Sequence, residues 1–94
     1  MEDLSLQSEK LDPILLDMLQ KLPSQTIPVI IQTVDGLQND DKQLLASVGG
    51  KIKDNLYIIN AFSADVSTGS LSSLVLSPRV VKIYYDAEIH AVNL

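Results

Sequence analysis

Apolar residues at positions 11, 14, 15, 18, 19 and 22 repeat with the 3, 1, 3, 1, 3 spacing of a single helical face. Asp12 and Pro13 stand before them as N-cap and first helical residue, and Pro23 stops the run, so the pattern predicts a helix over 13–22. Residues 1–10 have no firm period and read as a frayed terminus. Residues 27–34 (IPVIIQTV) are β-branched on both alternating faces and predict a strand, with Pro28 near its start, where a missing N–H is tolerated. A loop containing Gly36 leads to a short helix over 40–48, acidic in its first turn and stopped by Gly49 and Gly50. Residues 51–53 and 56–66 predict two strands joined at Asp54-Asn55, a pair that tolerates the positive φ of a hairpin turn. Ser67 and Thr68 cap a second short helix running to Leu76, and residues 80–85 (VVKIYY) form the last strand. Residues 86–94 carry neither a cap nor a turn signal and read as a tail.

The order is a helix followed by β-α-β-β-α-β. With right-handed crossovers that order predicts an α+β, ferredoxin-like fold: a four-stranded antiparallel sheet with two helices on one face, plus the extra N-terminal helix and an extended C-terminal tail. Strands in such a two-layer fold should alternate apolar and polar. These do not alternate cleanly. Val29 and Ile31 oppose Ile30, Tyr57 and Ile59 oppose Ile58 and Phe62, and Val81, Ile83 and Tyr85 oppose Val80 and Tyr84. Two short helices cannot hide both sets, so the first helix, a second copy or another protein is expected on the other face.

Composition narrows the function. The 94 residues contain no cysteine and carry a net charge of −5, with 46% hydrophobic and 20% charged residues, which is a folding chain rather than a disordered one. A pI near 4.5 and seven scattered basic residues argue against nucleic acid. No apolar run approaches the ~20 residues of a membrane-spanning helix, and MEDLS is acidic where a signal peptide is basic. The acidity is uneven: residues 1–41 have a net charge of −6 and residues 42–94 of +1.

Catalytic chemistry finds little to use. His90 stands alone in the tail, where it reads as a solvent-facing residue, and no serine has a nucleophile-elbow setting. Asp35, Asn39, Asp40 and Asp41 are oxygen donors in one loop without the alternation of a calcium loop, so helix capping by Asn39 or Asp40 is the better reading. No cofactor or metal is expected, and the chain reads as non-catalytic.

Four runs in order then point to a family: I-P-V-I-I-Q-T at 27–33, G-G-K-I at 49–52, I-N-A-F-S-A-D-V at 59–66 and L-S-S-L-V-L-S-P-R-V-V-K-I-Y-Y-D at 71–86. Together they resemble the propeptide, or peptidase-inhibitor, domain of subtilisin-like serine proteases. Pro78, Val80, Ile83 and Asp86 match that family's P-x-V-x-x-I-x-x-D ending in order and spacing. Residues 12–22 look like the lead-in of longer members. The resemblance implies a division into 1–26, an extension with the amphipathic helix; 27–86, the ferredoxin-like domain; and 87–94, an inhibitory tail. It also implies a helix-free sheet face laid on two protease helices, and a tail extended along the substrate cleft by strand addition. Leu94 would enter the primary specificity pocket and Ala91 the apolar pocket upstream, with Val92 and Asn93 between them. Asp86 and Glu88 would cap the two protease helices, where unpaired N–H groups favour a carboxylate. The tail is slightly longer than in the best-known members, which leaves open which acid caps which helix. The implied protein is an intramolecular chaperone and inhibitor, monomeric when free, one-to-one with its cognate protease, and secreted with it. The different-class alternative is a stand-alone ferredoxin-like module, cytoplasmic, that binds a small ligand or dimerises.

Overall fold

The structure is a computed structural model and describes residues 9–21 and 25–86. Its elements are α1 (Pro13–Lys21), β1 (Thr26–Thr33), α2 (Asn39–Ser47), β2 (Lys51–Leu56), β3 (Ala61–Ser67), α3 (Leu71–Leu74) and β4 (Val80–Tyr85). Single 3-10 turns occupy Tyr57–Ile59 and Thr68–Ser70. Asp12 caps α1 as expected, its Oδ1 accepting the Ile14 amide at 3.2 Å. The expected stop at Leu22 and Pro23 lies outside the described residues.

The strands form one antiparallel sheet in the order β2-β3-β1-β4. With α2 linking β1 to β2 and the Thr68–Leu74 helical segment linking β3 to β4, this is the ferredoxin-like arrangement predicted from the element order. Proline is tolerated in central strand β1 for a local reason. The Pro28 carbonyl accepts the Asp86 amide at 3.0 Å, so its nitrogen, on the same side of the strand, faces the very end of β4, where the missing N–H removes at most the last bond of that ladder.

One face of the sheet carries the core. Ile27, Val29 and Ile31 of β1 sit opposite Val66, Ala64 and Phe62 of β3, and Ile83 of β4 pairs with Ile31. Leu45, Leu71, Leu74 and Val75 close this layer from the helical side. Leu11 and Leu15 belong to the same buried cluster, and α1 lies against β4 and the Thr68–Ser70 turn. The N-terminal helix is therefore a third element on the helical side. It does not cover the other sheet face, which settles one of the alternatives raised by the strand pattern.

Four local expectations are corrected. The β2–β3 turn is not at Asp54-Asn55 but at Tyr57–Asn60, with the Asn60 amide bonded to the Tyr57 carbonyl at 3.2 Å and Asn60 in the left-handed region at φ 55°. β1 ends at Thr33, whose amide donates to the Asn60 carbonyl at 2.8 Å, so residues 57–59 overrun the strand they would have to pair with. Asn is one of the few residues besides glycine that accepts the conformation this tighter turn needs. Asp54 and Asn55 remain in β2, where a register shift after Ile52 turns the Asp54 amide onto Ser63 Oγ at 3.1 Å.

The α2 cap is Gln38, not Asn39 or Asp40. Asp41, in the first turn, reaches back to accept the Gln38 amide at 2.9 Å. In β4 the predicted grouping of Val81 with Ile83 fails: Val80 and Ile83 are buried while Val81 is exposed, because the register shifts between Gln32 and Thr33 of the neighbouring strand. The second helix is shorter than predicted. Ser70 Oγ bonds the Ser67 carbonyl at 2.8 Å, a hydroxyl competing with the regular helix ladder, and the segment starts as a 3-10 turn.

Gly49, at φ 76°, ends α2 in the left-handed conformation. Gly50 is required for proximity instead: a Cβ there would lie 2.5 Å from Leu45 Cδ1 and 3.2 Å from Val66 Cγ1.

Candidate functional site

The face opposite the helices is built by the residues left over from the core alternation. Three cross-strand rows compose it. Leu56, Ala61, Gln32 and Lys82 form the first, and Asp54, Ser63, Ile30 and Tyr84 the second. Lys51, Asp65 and Pro28 form the third, ending beside Asp86. Small residues lie along the middle, with Ala61 and Ser63 buried between taller neighbours. Apolar groups are thus available at Leu56, Ile30 and Tyr84. The charges are of both signs: Lys53 pairs with Asp65 at 3.4 Å, and Lys82 Nζ stands 5.7 Å from the Tyr84 ring centroid.

The face continues at one end into the β2–β3 turn. Tyr57, Ile58 and Ile59 are 72%, 82% and 53% exposed, the most concentrated apolar exposure among the described residues. With Asn55 and Leu56 they line an open hollow of about 320 Å³. The sequence placed these three side chains on opposite faces of a long strand. They project instead from a turn, where neither sheet face nor helix can bury them.

Asp86 lies at the opposite end of the sheet, directly after β4, and is 7% exposed. Of the residues expected to meet a partner, it is the one the structure places. Glu88, Ala91, Val92, Asn93 and Leu94 lie outside the described residues, as does His90. The Asp86 amide donates to the Pro28 carbonyl at 3.0 Å.

A charged cluster that the sequence reading missed occupies the same end as the Tyr57 turn. Arg79 donates through Nε to Asp41 Oδ1 at 2.9 Å and through an Nη atom to Asp35 Oδ1 at 2.6 Å and to the Gly36 carbonyl at 2.9 Å. Asp41 is buried and uses both oxygens on this guanidinium while also holding the Gln38 amide. Asp41, and to a lesser extent Asp35, holds the guanidinium pKa above its already high ordinary value, so its charge is permanent. The cluster joins the β1–α2 loop to the loop before β4. Two of the four oxygen donors weighed earlier as metal ligands are thus occupied by an internal cation. The one available signal was a lone arginine in a chain whose β1–α2 loop is crowded with acids.

Among the described residues no group of three or more His, Cys, Asp or Glu side chains is arranged to hold a metal ion, and no helix is long and apolar enough to cross a membrane. Comparison of the chain with family models, with curated proteins and with solved structures finds no match.

Proposed function

We propose that this chain is the propeptide domain of a subtilisin-like serine protease, an intramolecular chaperone and an inhibitor rather than an enzyme. The observation that supports this most is the uncovered sheet face. It offers Ile30, Leu56 and Tyr84 around a low middle of Ala61 and Ser63, a relief suited to receiving helices, and it continues into three exposed apolar residues. In this reading two protease helices lie across that face. Residues beyond β4 enter the substrate cleft by strand addition, with Leu94 in the primary pocket, Ala91 upstream, and Val92 and Asn93 between. Asp86 and Glu88 meet the helix N-termini. Asp86 is already largely covered in the free domain, so its capping role requires it to exchange contacts, whereas Glu88 is set two residues further along the tail.

The domain would act as a chaperone by presenting a preformed surface on which the protease helices dock before the rest of that enzyme is ordered. It would inhibit because the docked sheet raises the effective concentration of a weakly binding tail. Inhibition of a subtilisin-like protease by the 94-residue chain, and by a version lacking residues 92–94, tests this. The full chain should inhibit, and the deletion should weaken it by about 100-fold, equivalent to ~2.7 kcal/mol of lost pocket contacts. No inhibition by the full chain, or equal potency after deletion, would overturn the reading.

The hollow beside Tyr57 favours one alternative, a module that binds a small apolar ligand, since its volume is at the lower end of ligand pockets. Saturable binding of an apolar dye there, without protease inhibition, would select it.

A further inference from the structure

The two edges of the sheet are protected in different ways. Strand β2 blunts its own edge: it carries Lys51, Lys53 and Asp54 and is interrupted by the register shift after Ile52. Strand β4 does not. Its sequence VVKIYY has one charge in six residues, no glycine or proline, and otherwise only β-branched and aromatic side chains, the composition that pairs readily with another strand.

A short N-terminal segment covers that edge instead. The Ile83 amide donates to the Lys10 carbonyl at 2.7 Å, the Asp12 amide to the Ile83 carbonyl at 2.9 Å, and the Tyr85 amide to Asp12 Oδ2 at 3.3 Å. Leu11 makes a single parallel bridge to Ile83. After Asp12 the chain turns away as α1, so the contact ends there. It is held down by Lys10, whose Nζ bonds the Val75 and Ser77 carbonyls at 3.0 and 3.2 Å, and by the buried side chains of Leu11 and Leu15. Asp12 serves two purposes, with one oxygen on the helix N-terminus and the other on the strand edge.

We propose that residues 9–15 are a displaceable strap over the β4 edge, and that lifting it lets two copies of this chain join through antiparallel pairing of their β4 strands into one continuous sheet. A pairing centred on Ile83 returns partners to the same amide and carbonyl that the strap now holds. It sets Lys82 opposite the other copy's Tyr84, a cation against an aromatic ring, and opposes no like charges. The contact is a self-complementary two-fold one and closes on itself. Because the β2 edge is charged and bulged, the assembly stops at a dimer and does not extend into a fibre. This proposal does not depend on the protease reading.

The test uses the full chain with Leu15→Asp, which removes the anchor of the strap, alongside a milder Lys10→Ala/Asp12→Ala variant that keeps Leu11 and Leu15 in place. Amide exchange reads the Ile83 and Tyr85 protons, which face the strap, against those of β1 and β3, which report the intact sheet. Sedimentation over a concentration series reads assembly. The native chain should be a 10.3 kDa monomer with Ile83 and Tyr85 protected. The unstrapped variants should form a dimer that dissociates at about 10–100 µM, and adding Val81→Lys, a charge on the exposed side of the edge, should weaken it at least tenfold.

A Leu15→Asp chain that keeps its β1 and β3 protection yet stays monomeric at millimolar concentration overturns the proposal. So does a dimer indifferent to Val81→Lys, which would be using another surface such as the Tyr57 turn. Should Leu15→Asp unfold, the milder variant decides through Ile83, whose acceptor is the strap's own backbone at Lys10 and survives the substitutions: rapid exchange there without any dimer overturns the proposal equally.

Discussion

Replacing Leu15 by alanine separates two roles for the N-terminal helix that its apolar stripe could not distinguish. Leu15 is fully buried in the core beside the sheet, whereas its neighbour Ile14 is 49% exposed. Removing a fully buried leucine side chain costs about 2–5 kcal/mol, the transfer energy of the lost methyl groups plus the cavity they leave. The lower half of that range applies here. α1 docks chiefly against β4 and the Thr68–Ser70 turn, at the margin of the core, so the cost is capped by the free energy that docks the helix. Ile14→Ala should stay within ~0.5 kcal/mol, as surface changes do.

Against a total stability of roughly 5–10 kcal/mol for a chain of this size, a loss of 2–3 kcal/mol is large, and lowers the melting temperature by about 10–20 °C. Urea and thermal denaturation followed by far-ultraviolet circular dichroism measure both variants. Equal, small effects for Leu15→Ala and Ile14→Ala would refute the docking of α1 into the core. They would also reopen the possibility that this helix covers the far sheet face.

Four further outcomes follow from the geometry. Asn60→Gly should stabilise the domain slightly and Asn60→Ala destabilise it by about 1 kcal/mol, because the left-handed backbone at residue 60 penalises a Cβ; opposite signs in urea titrations would place the turn elsewhere. Asp41→Ala should cost at least ~1 kcal/mol from the lost helix cap alone. Arg79 adds no slope to the pH profile of stability near neutrality: a raised folded pKa gives stability that is complete below the ordinary, strongly basic value of the unfolded guanidinium and is lost only as the pH rises above it, so between pH 6 and 10 its contribution is flat. A urea midpoint that falls between pH 8 and 10 in the native chain but not in Arg79→Gln would contradict this. Ile58→Asp should leave the melting temperature unchanged, since that side chain is almost wholly exposed. On the protease reading it should weaken inhibition severalfold, and unaltered potency would remove the Tyr57 turn from the interface.

The succession of elements was legible because each carries a local mark. Asp12 and Pro13 open a helix, Gly49 and Gly50 close one, and VVKIYY can hardly be anything but a strand. The failures share a cause. The start of β3 depends on where β1 stops, and Asn60 is the one local mark of the turn before it, so Tyr57, Ile58 and Ile59 looked like more strand. The exposure of Val81 depends on a register shift in a strand about fifty residues away. Arg79 was visible only as a lone cation, because its partners Asp35 and Asp41 stand 44 and 38 positions earlier. Of the expected partner-facing residues, the reading located Asp86 at the end of β4, while it had no means of telling that the group is mostly covered there.

Chemistry between near neighbours in the chain, such as a cap, a proline or a period of two or 3.6, determines which segments become helices and strands. Their order then restricts the sheet to very few topologies. That much belonged to the sequence by itself, together with the surplus of apolar strand residues that two helices could not bury. Only the tertiary structure decided what to do with the surplus. It put α1 on the side already covered, sent Leu11 and Asp12 to the β4 edge, and left Ile30, Leu56, Tyr84 and the Tyr57 turn open. The physical reason is that burial and edge pairing are properties of two surfaces meeting, and an amphipathic helix has the same sequence pattern whichever face of the sheet it finds.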